Sequence, residues 1–425
     1  MTLAQILSIA IFAGVLILII SEKVHRALAA LLGAVLVFML QLMPFDEGLE
    51  HIDFNTLGVL VGMMLFVSVA KRSGLFEYLA IKAAKAARGD PWRIMVFLML
   101  ITAALSALLD NVTTVLLIGP MTLMICRELR INPVPFFITQ ILASNIGGTA
   151  TLIGDPPNIM IGSAADLSFL DFLLIDGPIV VLILIATIIG FKFIYARHLT
   201  ADAEDMQALL NLDEHEAITS KSLFVKSVVM IVLVAAAFTL HGLLHVDSAV
   251  IALSAAAIML LIGRVDIEEA LLGVEWTTIG FFAGLFIVVG GMAATGVIEI
   301  FAQFLAEATH SNSLAALLLI LGASALISAV LDNIPFVATM IPVLLSMGAS
   351  GVDIYPLWWA LSLGACLGGN GTLIGASANV VLSGISTREG YPLSYLAYLK
   401  IGAPMMVLSI ILSGIYLYVR FCLFQ

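Results

Sequence analysis

Residues 106–111 read SALLDN and place an acid and an amide in the middle of a long apolar stretch. A near copy, SAVLDN, occupies residues 328–333, which lie 222 positions further along the chain. With the same shift, residues 53–120 align with residues 275–342 without a gap. Matched polar interruptions in matched apolar segments indicate that the chain contains two copies of one structural unit.

A glycine-rich segment extends the match after a further shift of one residue. Residues 147–154 read GGTATLIG and are followed by Asn158, and residues 368–375 read GGNGTLIG and are followed by Asn379. Glycine permits an unwound backbone, whose carbonyls and amides can then face a ligand at membrane depth. We therefore expect one broken helix in each copy.

The composition identifies the class of protein. Of the 425 residues, 62% are hydrophobic and 11% are charged, whereas a soluble domain is about a quarter charged. This excludes a soluble enzyme and predicts an integral membrane protein. The net charge of −11 without a basic patch excludes nucleic acid as a partner. The chain has no phosphate-binding loop and no clustered cysteines, so we expect neither ATP hydrolysis nor a cofactor.

Apolar runs of about 20 residues are long enough to cross a bilayer as helices. Ten such runs predict ten crossings in an all-α polytopic membrane protein, near residues 3–21, 27–43, 54–70, 136–163, 172–196, 223–243, 246–263, 276–297, 357–386 and 401–422. The runs at 136–163 and 357–386 contain the glycine-rich breaks. Two further segments, 92–126 and 314–348, hold the acid–amide pairs near their middle, which is typical of re-entrant hairpins.

Charge placement predicts the orientation, because lysine and arginine collect in cytoplasmic loops. With the N-terminus and the C-terminus outside the cytoplasmic (inner) membrane, every lysine and arginine except Arg420 falls on the inner side. Each copy then has five crossings, so the copies are inverted: residues 1–197, a cytoplasmic linker at 198–222, and residues 223–425. Inverted repeats with broken helices are typical of secondary transporters, which bind their ligands near the bilayer midplane.

Asp110 and Asp332 lie within apolar segments, where an acid is costly and is usually functional. Both can also cap the helix that follows them, and one residue can have both roles. The surrounding amides, hydroxyls and glycines complete the candidate substrate-binding and coupling set: Asp110, Asn111, Thr113, Asn145, Gly148, Thr149, Thr151, Asp155, Asn158, Asp332, Asn333, Cys366, Gly369, Asn370, Thr372 and Asn379. Sodium at the same positions is an alternative.

The two copies differ at four of these places. Asn145 is replaced by Cys366, Thr149 by Asn370, Asp155 by Ala376 and Thr113 by Pro335. Half-sites that have diverged in this way are expected to bind different ligands, one the substrate and the other the coupling ion.

Two stretches resemble a known family: residues 108–115, LLDNVTTV, and residues 143–158, ASNIGGTATLIGDPPN. They are similar to the ion transporter superfamily, and within it to arsenite permeases of the ArsB type and the related melanosomal P-protein. The resemblance implies two inverted repeats, each with a hairpin and a broken helix. It also implies a homodimer whose transport domain moves like an elevator against a scaffold.

The resemblance also bears on the substrate. The dicarboxylate branch of the superfamily carries Ser-Asn-Thr at its hairpin tips, whereas the matching positions here begin with Asp110 and Asp332. Two acids would repel an anion by several kcal/mol in a low-dielectric site, so a neutral hydroxyl-rich solute or a cation is expected. Three thiolates, the ligands that trivalent arsenic prefers, are not expected at one place, since only Cys366 is predicted near the midplane.

The sequence therefore predicts a proton-coupled transporter that exports arsenite or antimonite as the neutral acid, held by oxygen and nitrogen groups. Asp110 and Asp332 would take protons from outside. A sodium/proton antiporter is the alternative that the paired acids serve equally well. A third hypothesis is a non-transporting membrane anchor for a soluble ATPase, bound through the linker at 198–222.

Overall fold

The computed structural model describes residues 1–21, 23–197, 199–308 and 313–423. These residues form 21 α-helices, one short 3-10 turn at Gly369–Gly371 and no β-strand. His198, the first residue of the predicted linker, lies outside the described residues. The described chain is therefore all-helical, as the sequence predicts.

The helices of the first copy are α1 (Leu3–Ser21), α2 (Arg26–Met39), α3 (Phe45–Glu50), α4 (Phe54–Lys71), α5 (Leu75–Ala86), α6 (Pro91–Ser106), α7 (Asn111–Glu128), α8 (Val134–Thr149), α9 (Pro156–Ala165) and α10 (Phe169–Tyr195). The linker contains α11 (Ala203–Leu210). The helices of the second copy are α12 (Lys221–Leu244), α13 (Ser248–Gly263), α14 (Ile267–Leu271), α15 (Trp276–Ala294), α16 (Val297–Ala308), α17 (Ser313–Ser328), α18 (Asn333–Ala349), α19 (Tyr355–Gly368), α20 (Ser377–Arg388) and α21 (Tyr395–Phe421).

Local sequence signals explain several helix boundaries. Helix α6 begins with Pro91, which needs no amide partner in the first turn, and the Asp90 carboxylate accepts a hydrogen bond from the amide of Arg93 at 2.8 Å. Helix α10 begins with a capping box between Ser168 and Asp171. Such caps satisfy amide groups that a helix leaves unpaired at its start.

Six of the described helices are long and apolar enough to cross a membrane: α1, α4, α10, α12, α15 and α21. One face of α10 exposes Leu182, Ile185, Ile189 and Phe193, a spacing of three and four residues that places them on the same side of the helix. An exposed apolar face of this kind suits contact with lipid. The count of ten crossings stays a prediction, because the remaining apolar helices are shorter.

Matched glycines allow close helix packing in both copies. Helix α4 packs on α13, where a Cβ atom at Gly62 would lie 2.8 Å from the Cβ of Ala252. Helix α15 packs on α2, where a Cβ atom at Gly284 would lie 2.7 Å from the carbonyl carbon of Ala30. Small residues bring helix backbones this close together without a hydrophobic driving force between the helices.

Each hairpin packs on the broken helix of its own copy through equivalent contacts. The Ser106 hydroxyl at the end of α6 donates to the carbonyl of Ser144 in α8 at 2.7 Å. The Ser328 hydroxyl at the end of α17 donates to the carbonyl of Ala365 in α19 at 2.6 Å. The internal duplication seen in the sequence is thus repeated in the contacts.

Contacts with the linker show which helix ends lie at the same end of the molecule as the linker. Helix α4 ends near the linker, since the amide of Thr219 donates to the carbonyl of Ser73 at 3.2 Å. The open end of the α6–α7 hairpin also lies there, because Arg130 pairs with Asp205 at 3.5 Å. The half of α18 that leads away from the hairpin tip lies at the other end of α4, where Pro342 and Leu345 line one cavity with Asp53. The two hairpins therefore open toward opposite ends of the molecule.

The structure also contains short helices in segments that the sequence treated as loops: α3, α5, α11, α14 and α16. In the linker, Asp205 and Leu209 of α11 are buried, and Lys85 of α5 donates a hydrogen bond to Glu214. This hydrogen bond lowers the pKa of the Glu214 carboxyl below its ordinary value. The linker is therefore folded against the first copy.

Candidate functional site

The two hairpin tips meet beside the start of α9 and enclose a small cavity of about 20 Å³, which is large enough for about one water molecule. Its polar walls are Asp110, Asn111, Asp155, Asn333, Glu275 and Arg26. The tips thus bring together groups from both copies, as expected for a site between inverted repeats.

The first tip positions Asp110 at the start of α7. Its carboxylate accepts a hydrogen bond from the amide of Thr113 at 2.8 Å and another from the Thr113 hydroxyl. Asp110 is 6% exposed, and it forms no ion pair within the described part of the chain. Asp110 is therefore both a helix cap and a buried acid without a basic partner.

At the second tip, the acid has a basic partner. Asp332 accepts from the amide of Ile334 at 3.3 Å and forms an ion pair with Arg26 of α2 at 3.0 Å. The Ser377 hydroxyl donates to the same carboxylate at 2.6 Å, and the Arg26 guanidinium also donates to the Thr278 hydroxyl at 3.2 Å. The charge of Asp332 is therefore compensated, whereas that of Asp110 is not.

Asn145 connects the two copies through its amide group. Its carbonyl oxygen accepts from the amide of Asn111 at 3.2 Å. Its amide nitrogen donates to the side-chain oxygens of Asn370 at 3.0 Å and of Asn379 at 2.9 Å. All four side chains are buried, so this network fixes how the first hairpin tip meets the break in the second copy.

Asp155 provides a second contact between the copies. It is 1% exposed, immediately precedes α9, and accepts hydrogen bonds from the amide of Asn333 at 3.3 and 3.2 Å. It forms no ion pair within the residues that the structure describes. Ala376 takes its place in the second copy, so this acid exists on one side of the site only.

Two predicted site residues support the unwound backbone of the breaks. The hydroxyl of Thr151 donates to the carbonyl of Ala107 at 2.5 Å, and the hydroxyl of Thr372 donates to the carbonyl of Ala329 at 2.5 Å. These bonds tie each break to the end of the preceding hairpin helix. Both hydroxyls therefore use their proton to position backbone.

Two asparagines have a similar positioning role. The amide of Asn158 donates to the carbonyls of Thr149 and Thr151 at 3.2 and 3.0 Å. The amide of Asn379 donates to the carbonyls of Gly369 and Thr372 at 2.7 and 2.8 Å. These bonds satisfy carbonyls that the interrupted helices leave without a helical partner.

Two glycines are required by close approach of the chain to itself. A Cβ atom at Gly148 would lie 2.5 Å from the carbonyl oxygen of Gly154, and one at Gly369 would lie 2.9 Å from that of Gly375. Any larger residue would push apart the two backbone segments that approach each other at the break. These predicted site residues therefore shape the breaks.

The remaining predicted residues have local partners. The hydroxyl of Thr149 donates to the carbonyl of Asn145 at 2.7 Å, and the thiol of Cys366 lies 3.4 Å from the side-chain oxygen of Asn158. Cys126 is buried elsewhere and Cys422 is half-buried. Among the described residues, no group of three His, Cys, Asp or Glu side chains is placed to hold a metal ion.

Three residues near the site were not among the site residues predicted from the sequence. Arg26 was counted only as a charge that sets orientation, although it pairs with Asp332. Glu275, just before α15, lines the cavity and accepts from the Thr278 hydroxyl at 2.9 Å. Asp176 is fully buried in α10. The criterion that selected Asp110, an acid in an apolar run, would also have found Asp176.

The cavity is lined by more acidic than basic side chains. Asp110, Asp155 and Glu275 line the cavity, and the one lining guanidinium, that of Arg26, is held by Asp332. Carboxylate and amide oxygens line the cavity beside apolar side chains such as Leu60 and Met64. These oxygens can bind protons, coordinate cations or accept hydrogen bonds from hydroxyl groups.

Comparison with known proteins identifies the family of this chain. Residues 16–364 match the family model described as CitMHS, citrate transporter. The chain belongs to this family. It is a membrane transporter, and its similarity to the P protein confirms the resemblance to the ion transporter superfamily.

The transporter has relatives along its whole length. An uncharacterized transporter of Mycobacterium tuberculosis is 45% identical over 425 residues, which cover 98% of this chain and 99% of that protein. The P protein of Sus scrofa is 35% identical, over 96% of this chain and 58% of its own length. The YdaH transporter of Alcanivorax borkumensis has a similar fold, with a TM-score of 0.60 and 16% identity over 87% of this chain and 86% of that one.

Proposed function

We propose that the transporter couples protons to the export of a small neutral solute, with arsenite or antimonite moved as the undissociated acid. The observation that carries this proposal is the pair of buried acids, Asp110 and Asp155, which line one cavity and have no basic partner in the described chain. Their amide neighbours offer both donors and acceptors to the hydroxyl groups of such a solute.

Charge argues against a free anion as the substrate. A carboxylate about 5 Å from a substrate charge contributes about 3 kcal/mol of repulsion at an effective dielectric constant of about 20, and three acids line this cavity. The family description names citrate. A citrate ion would fit here only if a bound cation compensated its charge.

The ion pair of Asp332 changes the proposed assignment of the proton carriers. The sequence predicts that Asp110 and Asp332 both take protons. Because Asp332 forms an ion pair with Arg26 at 3.0 Å, whereas Asp110 and Asp155 form none within the described part of the chain, we assign proton exchange to Asp110 and Asp155. Asp332 then has a structural role in holding the second hairpin tip.

The size of the cavity supports transport by a moving domain. At about 20 Å³ it is too small for a solute larger than about one water molecule, so the hairpin tips must separate to admit one. We propose ten crossings with two inverted hairpins, an elevator-type motion, a homodimer, and location in the inner membrane with both termini outside.

Sodium/proton antiport is the second candidate. The observation that favours it is that carboxylate and amide oxygens from both hairpin tips line a cavity with the dimensions of a single small ligand. Anchoring of a soluble ATPase is less favoured. The acids Asp205 and Glu214 of the linker already pair with Arg130 and Lys85 of the same chain.

Everted vesicles with an imposed pH gradient test these proposals. The expected result is uptake of arsenite that depends on the gradient and is lost in Asp110→Asn and Asp155→Asn. Asp46→Asn provides the matched control, since Asp46 is an exposed acid in α3. Gradient-dependent sodium movement without arsenite movement would select the antiporter. Arsenite transport by Asp110→Asn equal to that of the unchanged protein would contradict the role of Asp110.

A further inference from the structure

A further buried acid, Asp176, lies outside the cavity described above. Asp176 is 0% exposed and lies in α10, next to α19 of the other copy. Its Oδ2 atom lies 2.7 Å from the hydroxyl oxygen of Ser362, and its Oδ1 atom is buried without a hydrogen-bond partner among the residues that the structure describes. An ionised carboxylate with an unpaired oxygen in such a place would be strongly destabilising.

The hydrogen bonds of Ser362 determine the protonation state of the Asp176 carboxyl. The Ser362 hydroxyl also lies 2.8 Å from the side-chain oxygen of Asn158. The orientation of the Asn158 amide is fixed, because its nitrogen donates to two carbonyls, those of Thr149 and Thr151. One hydroxyl proton cannot fill two contacts with acceptors, so the second proton has to come from Asp176.

We propose that Asp176 is a proton-binding site of the transporter and is protonated in this conformation. Its Oδ2–H group donates to the Ser362 oxygen, and the Ser362 hydroxyl donates to Asn158. When a water molecule removes the proton, the Oδ2–H bond breaks and the Ser362 hydroxyl turns to the new carboxylate. The side-chain oxygen of Asn158 then loses the hydrogen bond from Ser362, although its amide nitrogen still donates to the carbonyls of Thr149 and Thr151.

The surroundings contain few groups that could hold the charge instead. Helix α8 has no titratable side chain, and α19 presents the Cys366 thiol. From α21, Arg420 donates to the Tyr416 hydroxyl at 2.9 Å, and that hydroxyl donates to the carbonyl of Ile175 at 2.7 Å. None of these side chains forms an ion pair with Asp176.

The start of α10 lies at the end of the molecule away from the linker, and Asp176 lies inward from a cavity there that it does not itself line. A cavity of about 720 Å³ is lined by Asp171 and by His241, whose Nε2 atom accepts from the amide of Phe169 at 3.0 Å. His241 is the titratable group that α12 places near the start of α10. Asp176 lies five residues beyond Asp171, about 7.5 Å along the helix. The same cavity reaches Leu152 in the first break.

This site is absent from the second copy. Helices α10 and α21 both have 27 residues and carry a proline at the same position, Pro178 and Pro404, and in this alignment Gly402 takes the place of Asp176. The protonation of Asp176 stands on hydrogen-bond geometry alone, whereas its use in coupling rests on the proposed proton-driven function. The two claims can therefore be tested separately.

Infrared spectroscopy of the purified full-length transporter tests the protonation. The expected result at neutral pH is that Asp176→Asn loses the carbonyl-stretch intensity of one protonated carboxyl, while Asp46→Asn keeps it. Ser362→Ala should shift the frequency of the same band because the acid loses its partner. An unchanged band in Asp176→Asn would overturn the proposal. If that variant does not fold, an unshifted band in Ser362→Ala would overturn it equally.

Transport provides the second readout. Arsenite uptake by Asp176→Asn into everted vesicles should respond to the imposed pH gradient less steeply than uptake by the unchanged protein. An unchanged response together with the lost infrared band would remove the coupling role and leave the proton site. Absence of arsenite transport in the unchanged protein would refute the proposed function without affecting the infrared result.

Discussion

Replacement of Arg26 by glutamine tests whether the second hairpin tip is held by charge. The guanidinium lies 3.0 Å from Asp332, and it also donates to the hydroxyls of Thr278 and Ser377. These contacts connect α2 with α18 and α20 at one point. Glutamine keeps a polar end but removes the charge, so Asp332 would be left largely buried without a cation.

The expected loss of stability depends on how deeply the Arg26 and Asp332 side chains are buried. The Arg26 and Asp332 side chains are 25% and 11% exposed, so the pair is neither a surface ion pair of about 0–1 kcal/mol nor a fully buried one, whose disruption costs about 3–5 kcal/mol. A cost of about 2 kcal/mol lies between these limits, as for hydrogen bonds to charged groups of about 1.5–3 kcal/mol. We therefore expect a fall in the melting temperature of several degrees.

The buried thiols of Cys126 and Cys366 provide the assay, because a thiol-reactive fluorophore reports their exposure on heating. Arg127→Gln is the matched control, since the ion pair of Arg127 with Glu389 is about half exposed and should matter little. The double variant Arg26→Gln/Asp332→Asn should be more stable than the sum of the single effects predicts. Additive effects, or an Arg26→Gln melting curve that matches the control, would refute the reasoning.

Three further predictions follow from single contacts. Gly62→Leu should destabilise the protein by at least about 1–3 kcal/mol, because the added side chain meets the backbone of α13. Gly14→Leu is the control, since its side chain enters open space and should not destabilise the protein. Thermal melts of the two variants provide the comparison. Asn145→Ala should lower both the melting temperature and transport in vesicles, since three buried amides lose their partner at about 1–3 kcal/mol. The pKa of Glu214 is lowered by the hydrogen bond from Lys85, so its stabilising contribution is present above the ordinary glutamate range and is lost as the pH falls through the lowered value. Proteolysis of the linker should therefore increase at acid pH in the unchanged protein and depend less on pH in Glu214→Gln.

The helices near the two hairpins were predictable because their signals are local. The predicted hairpin at 92–126 corresponds to α6 and α7, and the glycine-rich segment at 147–154 spans the interruption between α8 and α9. Apolar length, capping residues and glycine act within one or two turns, so the sequence records them directly. The short helices α5 and α11 were missed, because their formation depends on packing against other segments.

The structure brings several of the residues selected from the sequence to one cavity, and it gives others contacts that the sequence does not reveal. Asp110, Asp155 and Asn333 do line one cavity. Thr151, Thr372 and Asn158, which looked like ligands, use their donors to hold unwound backbone. A polar residue beside a glycine break has the same appearance in a sequence whether it faces a ligand or a carbonyl.

The sequence by itself determined that the protein is duplicated, helical and suited to a membrane, and that each hairpin carries an acid at its tip. Only the tertiary structure decided that Asp332 meets Arg26, 306 positions away, while Asp110 has no such partner in the part of the chain that the structure describes. It also placed Asp176 of the first copy against Ser362 of the second. The physical reason is that hydrophobic periodicity selects which face of a helix is buried, whereas the charge that an acid retains depends on which distant helix packs against it.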